Sequence, residues 1–360
     1  MVMSTIANDV VNIRFRTSTV VAPATNKQGR EVLLITSTSF ESRCSNIAEI
    51  LTADYHAAVG LICTFKGDYD LMDQEQASLE IIKDKLANKC QEVVEFALKT
   101  YDSLSTYPKL LNSLNGISHE HRITHVDFDV TTFTKQYLLI LLGLIEMVFP
   151  EASVRVLYTP AGRYGAPGIR KRLSRHVRNI IAVPGYDSFM DGSNIKSTLV
   201  TFLGFEEERV LTLIDALSPK VCIPVLQSRR NTHFGRLVPF ESNKRLLRLV
   251  AARFSRNPEY VDGENPNETV DYLRHVYTNY VQGKNDVLLI APHGSKMQTV
   301  GIYLFCRMAA NPSQIGIVYA LPVKYMKKQY SGNALEYIAA FSWEGASVDT
   351  NVGRMLSKIS

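Results

Sequence analysis

The sequence lacks the features that mark several common classes of protein. Its five cysteines are scattered and form no CxxC pair, so neither a zinc site nor a disulfide framework is expected. Their odd number and apolar neighbours predict reduced, mostly buried thiols in a cytoplasmic protein. The N-terminus has no signal-peptide h-region. The longest apolar run, 137–150, contains Glu146 and is shorter than the ~20 residues of a membrane span, so we expect a core helix and no membrane association.

The sequence also has only a small net charge and lacks several short catalytic motifs. The net charge of +5 over 360 residues is mild and makes double-stranded DNA an unexpected partner. Walker A, HExxH, GxSxG and complete GxGxxG patterns are absent. We therefore expect no resident cofactor and no metal. The length is enough for two domains of ~150 residues.

Alternating apolar strands and amphipathic helices predict an α/β fold. The predicted strands are 31–36, 57–65, 123–130, 153–159, 197–203, 220–226, 287–290 and 315–321. The apolar spacing also predicts one long helix over 73–101 and a loop or short helix over 107–117. This alternation is typical of parallel sheets with helices on both faces.

The two halves of the chain repeat each other. A shift of 161 carries 154–158 onto 315–319, since 315 − 154 = 161, and carries Lys135 onto Lys296. A shift of 166 carries 32–43 onto 198–209, since 209 − 43 = 166. We interpret this as a duplication that gives two Rossmann-like parallel-sheet units. The predicted units are 1–165 and 196–332, with a basic connector at 166–195 and a C-terminal tail at 333–360.

Four loops follow predicted strands, and a pseudo-twofold axis would bring them to one cleft. They are 37–43, 131–135, 204–209 and 292–296. Ligands of such folds bind beyond the carboxyl ends of the strands. Loop 292–296 precedes a predicted helix, so its backbone N–H groups and the helix N-terminus would face an anion. The predicted ligand-binding residues are Ser37, Ser39, Arg43, Thr134, Lys135, Gly204, Arg209, His293, Gly294, Ser295, Lys296 and Tyr325.

Acidic residues in the same loops offer acid–base chemistry. Glu41 and Glu207 each lie two residues before an arginine, which could hold a phosphate or form an ion pair. Asp127 and Asp129 alternate along a strand and so share one face. They could bind Mg²⁺ or act as acid and base, or Asp129 could cap a helix. The candidate catalytic residues are Asp129, Glu41 and Glu207.

One loop resembles the ligand loop of a known family. A strand, a small Gly-containing loop with Ser-Lys, and a helix with a further glycine occur here as Gly294, Ser295, Lys296 and Gly301. This pattern resembles CARF domains, the Rossmann-like sensor domains of CRISPR-associated defence proteins. The resemblance implies binding of a cyclic oligoadenylate across a twofold axis. In the first half, 131–135 lacks the glycine, and no winged helix or nuclease module follows.

Three functions are compatible with these patterns. The first is a nucleotide-binding sensor for a cyclic or oligonucleotide second messenger in antiviral defence, with an effector protein in another chain. The second is an enzyme that hydrolyses a nucleotide phosphodiester or N-glycosidic bond in the same cleft. The third is an interaction subunit of a defence complex.

Overall fold

The computed structural model describes residues 14–18, 31–67, 73–160, 174–187, 196–228, 240–309, 311–325 and 338–343. After an initial strand, β1 (Arg14–Ser18), the first half of the chain alternates strands and helices. Its strands are β2 (Glu31–Ser37), β3 (Ala57–Lys66), β4 (Cys90–Lys99), β5 (Ile123–Asp129) and β6 (Ser153–Tyr158). Its helices are α1 (Asn46–Ile50), α2 (Asp73–Ala87), α3 (Ser103–Glu120) and α4 (Lys135–Val148). The five strands run parallel in the order β6-β5-β2-β3-β4.

The second half repeats this arrangement after one additional strand, β7 (Ser174–Ala182). Its parallel strands are β8 (Lys196–Phe202), β9 (Val221–Gln227), β10 (Glu259–Val261), β11 (Asp286–Pro292) and β12 (Ile315–Tyr325). Its helices are α5 (Glu207–Leu217), α6 (Lys244–Phe254), α7 (Pro266–Tyr280) and α8 (Lys296–Met308). The order β12-β11-β8-β9-β10 matches that of the first half strand for strand. The predicted α/β fold with two Rossmann-like units is confirmed.

The halves exchange their last strands. β7 follows the first half but pairs antiparallel with β12 of the second sheet. The last described strand, β13 (Ile338–Trp343), follows the second half but pairs antiparallel with β6, and β1 pairs with β13. β7 lies in the segment that we predicted as a connector, and β13 lies in the predicted tail. Both segments therefore contribute to a sheet of the opposite half, and the unit boundaries stay predictions.

The predicted helix over 73–101 is wrong in its second part. The helix α2 ends at Ala87, and residues 90–99 form β4 at the edge of the first sheet. Buried and exposed residues do not alternate along β4. Because the period of two that marks a strand is missing, the sequence of β4 was assigned to the helix before it. The segment over 107–117 belongs to a full helix, α3, which is capped by Asp102, whose carboxylate accepts a hydrogen bond from the backbone N–H of Ser105 (3.1 Å).

Helices α4 and α8 pack against each other and join the halves. α4 contains most of the apolar run 137–150, and its residues from Gln136 to Ile145 are buried. Near its end, Glu146 accepts hydrogen bonds from Tyr303 Oη (2.6 Å) and Arg307 Nε (2.7 Å) of α8. Glu146 and Arg307 are equivalent by the shift of 161, since 307 − 146 = 161. The ion pair therefore crosses the pseudo-twofold axis.

Two compositional predictions are tested directly. All five cysteines are free and buried, as their apolar neighbours predicted. Within the described part of the chain, no helix is long and apolar enough to cross a membrane.

Candidate functional site

The site lies where the strand order of each sheet reverses. In the first sheet β2 and β5 are neighbours and their chains continue in opposite directions, and β8 and β11 have the same relation in the second. The connections after these strands diverge, which leaves a crevice at their carboxyl ends. Strands β2 and β11 are buried along nearly their whole length, as central parallel strands are. The loops after them are thus held by a rigid scaffold.

Hydroxyl groups and one carboxylate connect the two first-half loops. Asp129 accepts hydrogen bonds from Thr36 Oγ1 (3.0 Å) and from the backbone N–H of Thr131 (3.1 Å), and it also bonds Thr131 Oγ1. Ser37 Oγ lies 2.8 Å from Thr132 Oγ1. Burial raises the pKa of Asp129, although these hydrogen bonds and the charge of Arg43 oppose the shift. Asp129 thus tethers the loops, and its oxygens are already engaged.

Glu41 and Arg43 form a buried ion pair. Nε and Nη2 of Arg43 each lie 3.0 Å from Glu41 Oε2, and Nη1 donates to the carbonyl oxygen of Thr159 (2.9 Å). The backbone N–H of Glu41 donates to Ser39 Oγ (3.2 Å). All three nitrogens of the Arg43 guanidinium therefore have partners within its own half. Of the two alternatives left by the sequence, the ion pair is the one observed here.

Arg209 occupies the equivalent place in the second half. Its Nε donates to the carbonyl oxygen of Ala320 (2.8 Å), and Ala320 is equivalent to Thr159 because 320 − 159 = 161. Its Nη1 donates to Glu206 (3.1 Å). The guanidinium lies over the ring of Tyr319, 4.6 Å from the centroid. The two arginines thus donate to carbonyl groups that the repeat relates to each other.

The acidic partner of Arg209 is Glu206, not the Glu207 that the sequence alignment indicated. Glu207 Oε2 accepts a hydrogen bond from the backbone N–H of Leu246 in α6 (3.3 Å). We therefore revise Glu207 from a candidate catalytic residue to one that joins α5 to α6. Glu206 precedes the first turn of α5 and keeps the position beside the arginine.

Each of the two predicted lysines belongs to one half of the chain and interacts with side chains of the other half. Lys135, the first residue of α4, interacts electrostatically with three side chains of the second half: Glu206, Arg209 and Tyr319. Lys296, the first residue of α8, interacts with three side chains of the first half: Glu41, Arg43 and Asp129. The lysines also interact with each other. The pseudo-twofold arrangement thus brings residues of all four predicted loops within electrostatic range of one another.

The negative charge near the two lysines is too small to offset the cost of burying their ammonium groups. Burial, followed by the charge of Arg43, lowers the pKa of Lys296 to about 7, and Lys135 adds to this effect. Burial also lowers the pKa of Lys135, to which Arg209 contributes. Among the described residues, neither Nζ atom has a carboxylate within 4.0 Å. An anion in the cleft would restore the charged form of both side chains.

His293 is buried beside these cations without a partner. Only 6% of the residue is exposed, and neither ring nitrogen has a hydrogen-bond partner among the described residues. Its ring stacks on Tyr319 with a centroid distance of 5.3 Å. Burial and the charges of Arg209 and Lys135 hold its pKa well below the usual range, so the imidazole is neutral at pH 7. A neutral imidazole offers one donor and one acceptor.

Tyr319 lies between these groups, although its site role was not predicted. Burial alone would raise the pKa of its phenol, but the charges of Arg209 and Lys135 outweigh burial and lower it. The sequence contained a signal, because the repeat alignment places Tyr319 on Tyr158, the last residue of the equivalent strand β6. Tyr325 also interacts electrostatically with Arg209 and stays a candidate.

Several predicted residues of loop 292–296 shape the loop instead. Ser295 Oγ accepts from the backbone N–H of Gln298 (3.0 Å), and the Gln298 side chain accepts from the Ser295 N–H (2.9 Å). Ser295 also donates to the carbonyl oxygen of Gly263. We therefore revise Ser295 from a phosphate donor to a helix cap. Gly294 is required because a Cβ atom there would overlap Gln298, and a Cβ on Gly204 would overlap the carbonyl oxygen of His293.

Asp127 is not available as a metal ligand beside Asp129. Arg155 donates to both of its oxygens (2.7 Å each), and Tyr55 Oη adds a third hydrogen bond (2.8 Å). Within the described residues, the one group with metal-ligand spacing is Glu92, Glu120 and His121, which come from β4 and the end of α3. The Mg²⁺ alternative is therefore withdrawn. Of the predicted basic connector, 166–173 and 188–195 lie outside the described residues.

Comparison with known proteins gives no family. No family model matches the chain, and no curated protein matches it. The cytoplasmic domain of a prokaryotic cation chloride cotransporter has a TM-score of 0.24 and 6% identity, covering 84% of this chain and 99% of its own. UDP-GlcNAc 2-epimerase from Neisseria meningitidis, bound to UDP-GlcNAc, has a TM-score of 0.21 and 12% identity, covering 72% of this chain and 77% of its own.

A third similar structure is leucoanthocyanidin reductase from Vitis vinifera with NADPH. Its TM-score is 0.23 and its identity 8%, covering 91% of this chain and 99% of its own. TM-scores this low carry no argument about function.

Proposed function

We propose that the protein binds a nucleotide in the cleft between its two Rossmann-like units and acts as a sensor. The observation that carries the proposal is that Lys135 and Lys296, at the starts of the two packed helices α4 and α8, each interact electrostatically with side chains of the opposite half. A partly buried ammonium group without a close carboxylate is costly, and an anionic ligand would remove that cost. A phosphate group is the anion that lysine, arginine and helix N-termini bind together.

Sensing fits a ligand held between the two halves. Because each half supplies cations to the other half's loops, a bound anion would stabilise their relative arrangement. The resemblance of loop 292–296 to CARF ligand loops supports a nucleotide second messenger. A role in antiviral defence and an effector in another chain follow from that resemblance, and not from the cleft itself.

Hydrolysis has less support than binding. Asp129 and Glu41 are engaged by Thr36, Thr131 and Arg43, and Glu207 is engaged by α6. A time course of any bound nucleotide, compared between the native protein and Asp129→Asn, separates the two functions. We expect the ligand to stay intact in both proteins.

The test is a binding panel with a matched variant. Thermal shift is measured against linear and cyclic nucleotides for the native protein and for the double variant Lys135→Met/Lys296→Met. Methionine retains the aliphatic stem and removes the charge. Binding to the folded state alone adds ~2.7 kcal/mol of stability at a hundredfold excess over Kd, so a hit is visible. Lys109→Met, at an exposed position of α3, is the control.

The expected result is a shift in the native protein and in the control, and none in the double variant. A nucleotide that stabilises all three proteins equally would contradict the assignment of the site. If no nucleotide shifts the native protein, the nucleotide-sensor proposal is wrong, and gel filtration with co-expressed proteins then tests the interaction-subunit alternative.

A further inference from the structure

The cleft has two lysines related by the repeat, but the surroundings of the two helix N-termini differ. At α8 the N-terminus is closed by the reciprocal hydrogen bonds of Ser295 and Gln298. The nearby Arg43 has all three nitrogens bonded, and the oxygens of Asp129 are engaged. The α8 side therefore has few donors left for a ligand other than Lys296 itself.

The α4 side retains free hydrogen-bonding groups. Thr134 precedes the helix, but its side chain makes no capping hydrogen bond, and its Oγ1 is buried without a partner among the described residues. Also within the described residues, neither ring nitrogen of His293 has a hydrogen-bond partner, and Nη2 of Arg209 has none. Both residues are more than nine-tenths buried. His293 and Arg209 both contact the ring of Tyr319, at 5.3 Å and 4.6 Å from its centroid, and Lys135 is close enough to interact electrostatically with Arg209 and Tyr319.

Resting on the proposed function, we propose that the ligand binds asymmetrically, with a terminal phosphate monoester at the N-terminus of α4 against Lys135, Arg209 and His293. A monoester has three terminal oxygens and up to two negative charges. It can use the ammonium, the guanidinium Nη2, the imidazole N–H and the first N–H groups of the helix. A phosphodiester has two free oxygens and one charge and would leave part of this donor set unused.

One acceptor at the same place specifies a neighbouring hydroxyl group. Glu206 Oε1 is buried without a hydrogen-bond partner among the described residues, whereas its Oε2 accepts from Arg209. A carboxylate oxygen would repel a phosphate dianion but accepts a hydrogen bond from a hydroxyl. The structure thus favours a phosphorylated sugar, either a free sugar phosphate or the ribose phosphate of a nucleotide.

Isothermal titration of the full chain at pH 6.5 tests this inference with four probes: inorganic phosphate, ribose 5-phosphate, AMP and 3′,5′-cyclic AMP. We expect AMP to bind at least tenfold more tightly than cyclic AMP and than inorganic phosphate. Comparison of ribose 5-phosphate with AMP distinguishes a sugar-phosphate ligand from one that needs the base. Each variant is first melted to show that it folds.

Single substitutions then locate the phosphate. We expect Lys135→Met to weaken AMP binding at least tenfold, with recovery of most of the affinity in Lys135→Arg, and Lys296→Met to weaken it less than threefold. Thr134→Val removes only the hydroxyl and should weaken binding severalfold. Equal losses at the two lysines, or equal affinity for AMP and cyclic AMP, would overturn the asymmetric site while the proposed function stands. If none of the four probes binds, the monoester site is wrong, and the thermal-shift panel of linear and cyclic nucleotides decides the proposed function separately.

Discussion

The buried charge of Lys296 should destabilise the ligand-free protein. We therefore expect the variant Lys296→Met to be more stable than the native protein. The pKa of this lysine falls from 10.5 to about 7 in the folded protein, which corresponds to roughly 5 kcal/mol at about 1.4 kcal/mol per pKa unit. The side chain is partly exposed, and solvent screening reduces this figure to about 2 kcal/mol. We expect the variant to gain about that amount in free energy of unfolding at pH 6.

The pH dependence has a definite sign. Between pH 7 and pH 10 the unfolded lysine binds a proton that the folded lysine has lost, so stability of the native protein rises with pH in this window. Below pH 7 both states are protonated and the full cost remains. The advantage of Lys296→Met should therefore be largest at pH 6 and smaller at pH 9.

Denaturant unfolding at pH 6 and pH 9 measures this difference, with Lys109→Met as the control. Other groups that titrate over this range are common to the proteins, so they cancel in the difference. A variant that is less stable than the native protein at pH 6 would refute the reasoning. An advantage that does not change with pH would show that the gain comes from packing of the methionine rather than from the lost charge.

Three other predictions concern the ion pair between α4 and α8, the contact between two loops, and the proton of Lys296. Glu146→Gln should destabilise the protein by about 3–5 kcal/mol in denaturant unfolding, because it leaves the buried Arg307 charge unpaired; an effect below ~1 kcal/mol would contradict a buried ion pair. Gly204→Ala should lower the melting temperature and the nucleotide affinity together, because its Cβ would overlap the His293 carbonyl; unchanged values would show that the loops can separate freely. Nucleotide affinity should fall above pH 7 by no more than the threefold that Lys296→Met costs, as Lys296 loses its proton, and titrations in buffers of different ionisation enthalpy should detect proton uptake; affinity that does not change between pH 6.5 and pH 8.5 would exclude this linkage.

The repeat made most of the architecture predictable. The shift of 161 correctly related the two lysines and also relates Glu146 to Arg307, since both pairs lie on the equivalent helices α4 and α8. Central strands such as β2 and β11 were predicted because burial on both faces makes them continuously apolar. The exchange of β7 and β13 was missed, because which sheet a strand joins depends on contacts far apart in sequence.

The site was predictable in its location but not in its pairings. The alignment placed Glu207 on Glu41, whereas the start of α5 at Glu207 turns this side chain to α6 and leaves Glu206 beside Arg209. Ser295 looked like a phosphate donor, but its hydroxyl is used by the helix it precedes. Sequence identifies which residues end strands. It does not show which hydrogen-bonding groups are already satisfied, and that distinction separates Lys135 and His293 from Ser295 and Asp129.

The most direct test of the central claim is native mass spectrometry of the purified protein beside Lys135→Met/Lys296→Met, with identification of any small molecule released on denaturation. The account predicts that the native protein carries, or takes up from a nucleotide mixture, one phosphorylated molecule per chain, and that the double variant carries none. Equal occupancy of both proteins, or a bound molecule without phosphate, would contradict an anion site built by lysines from the two halves.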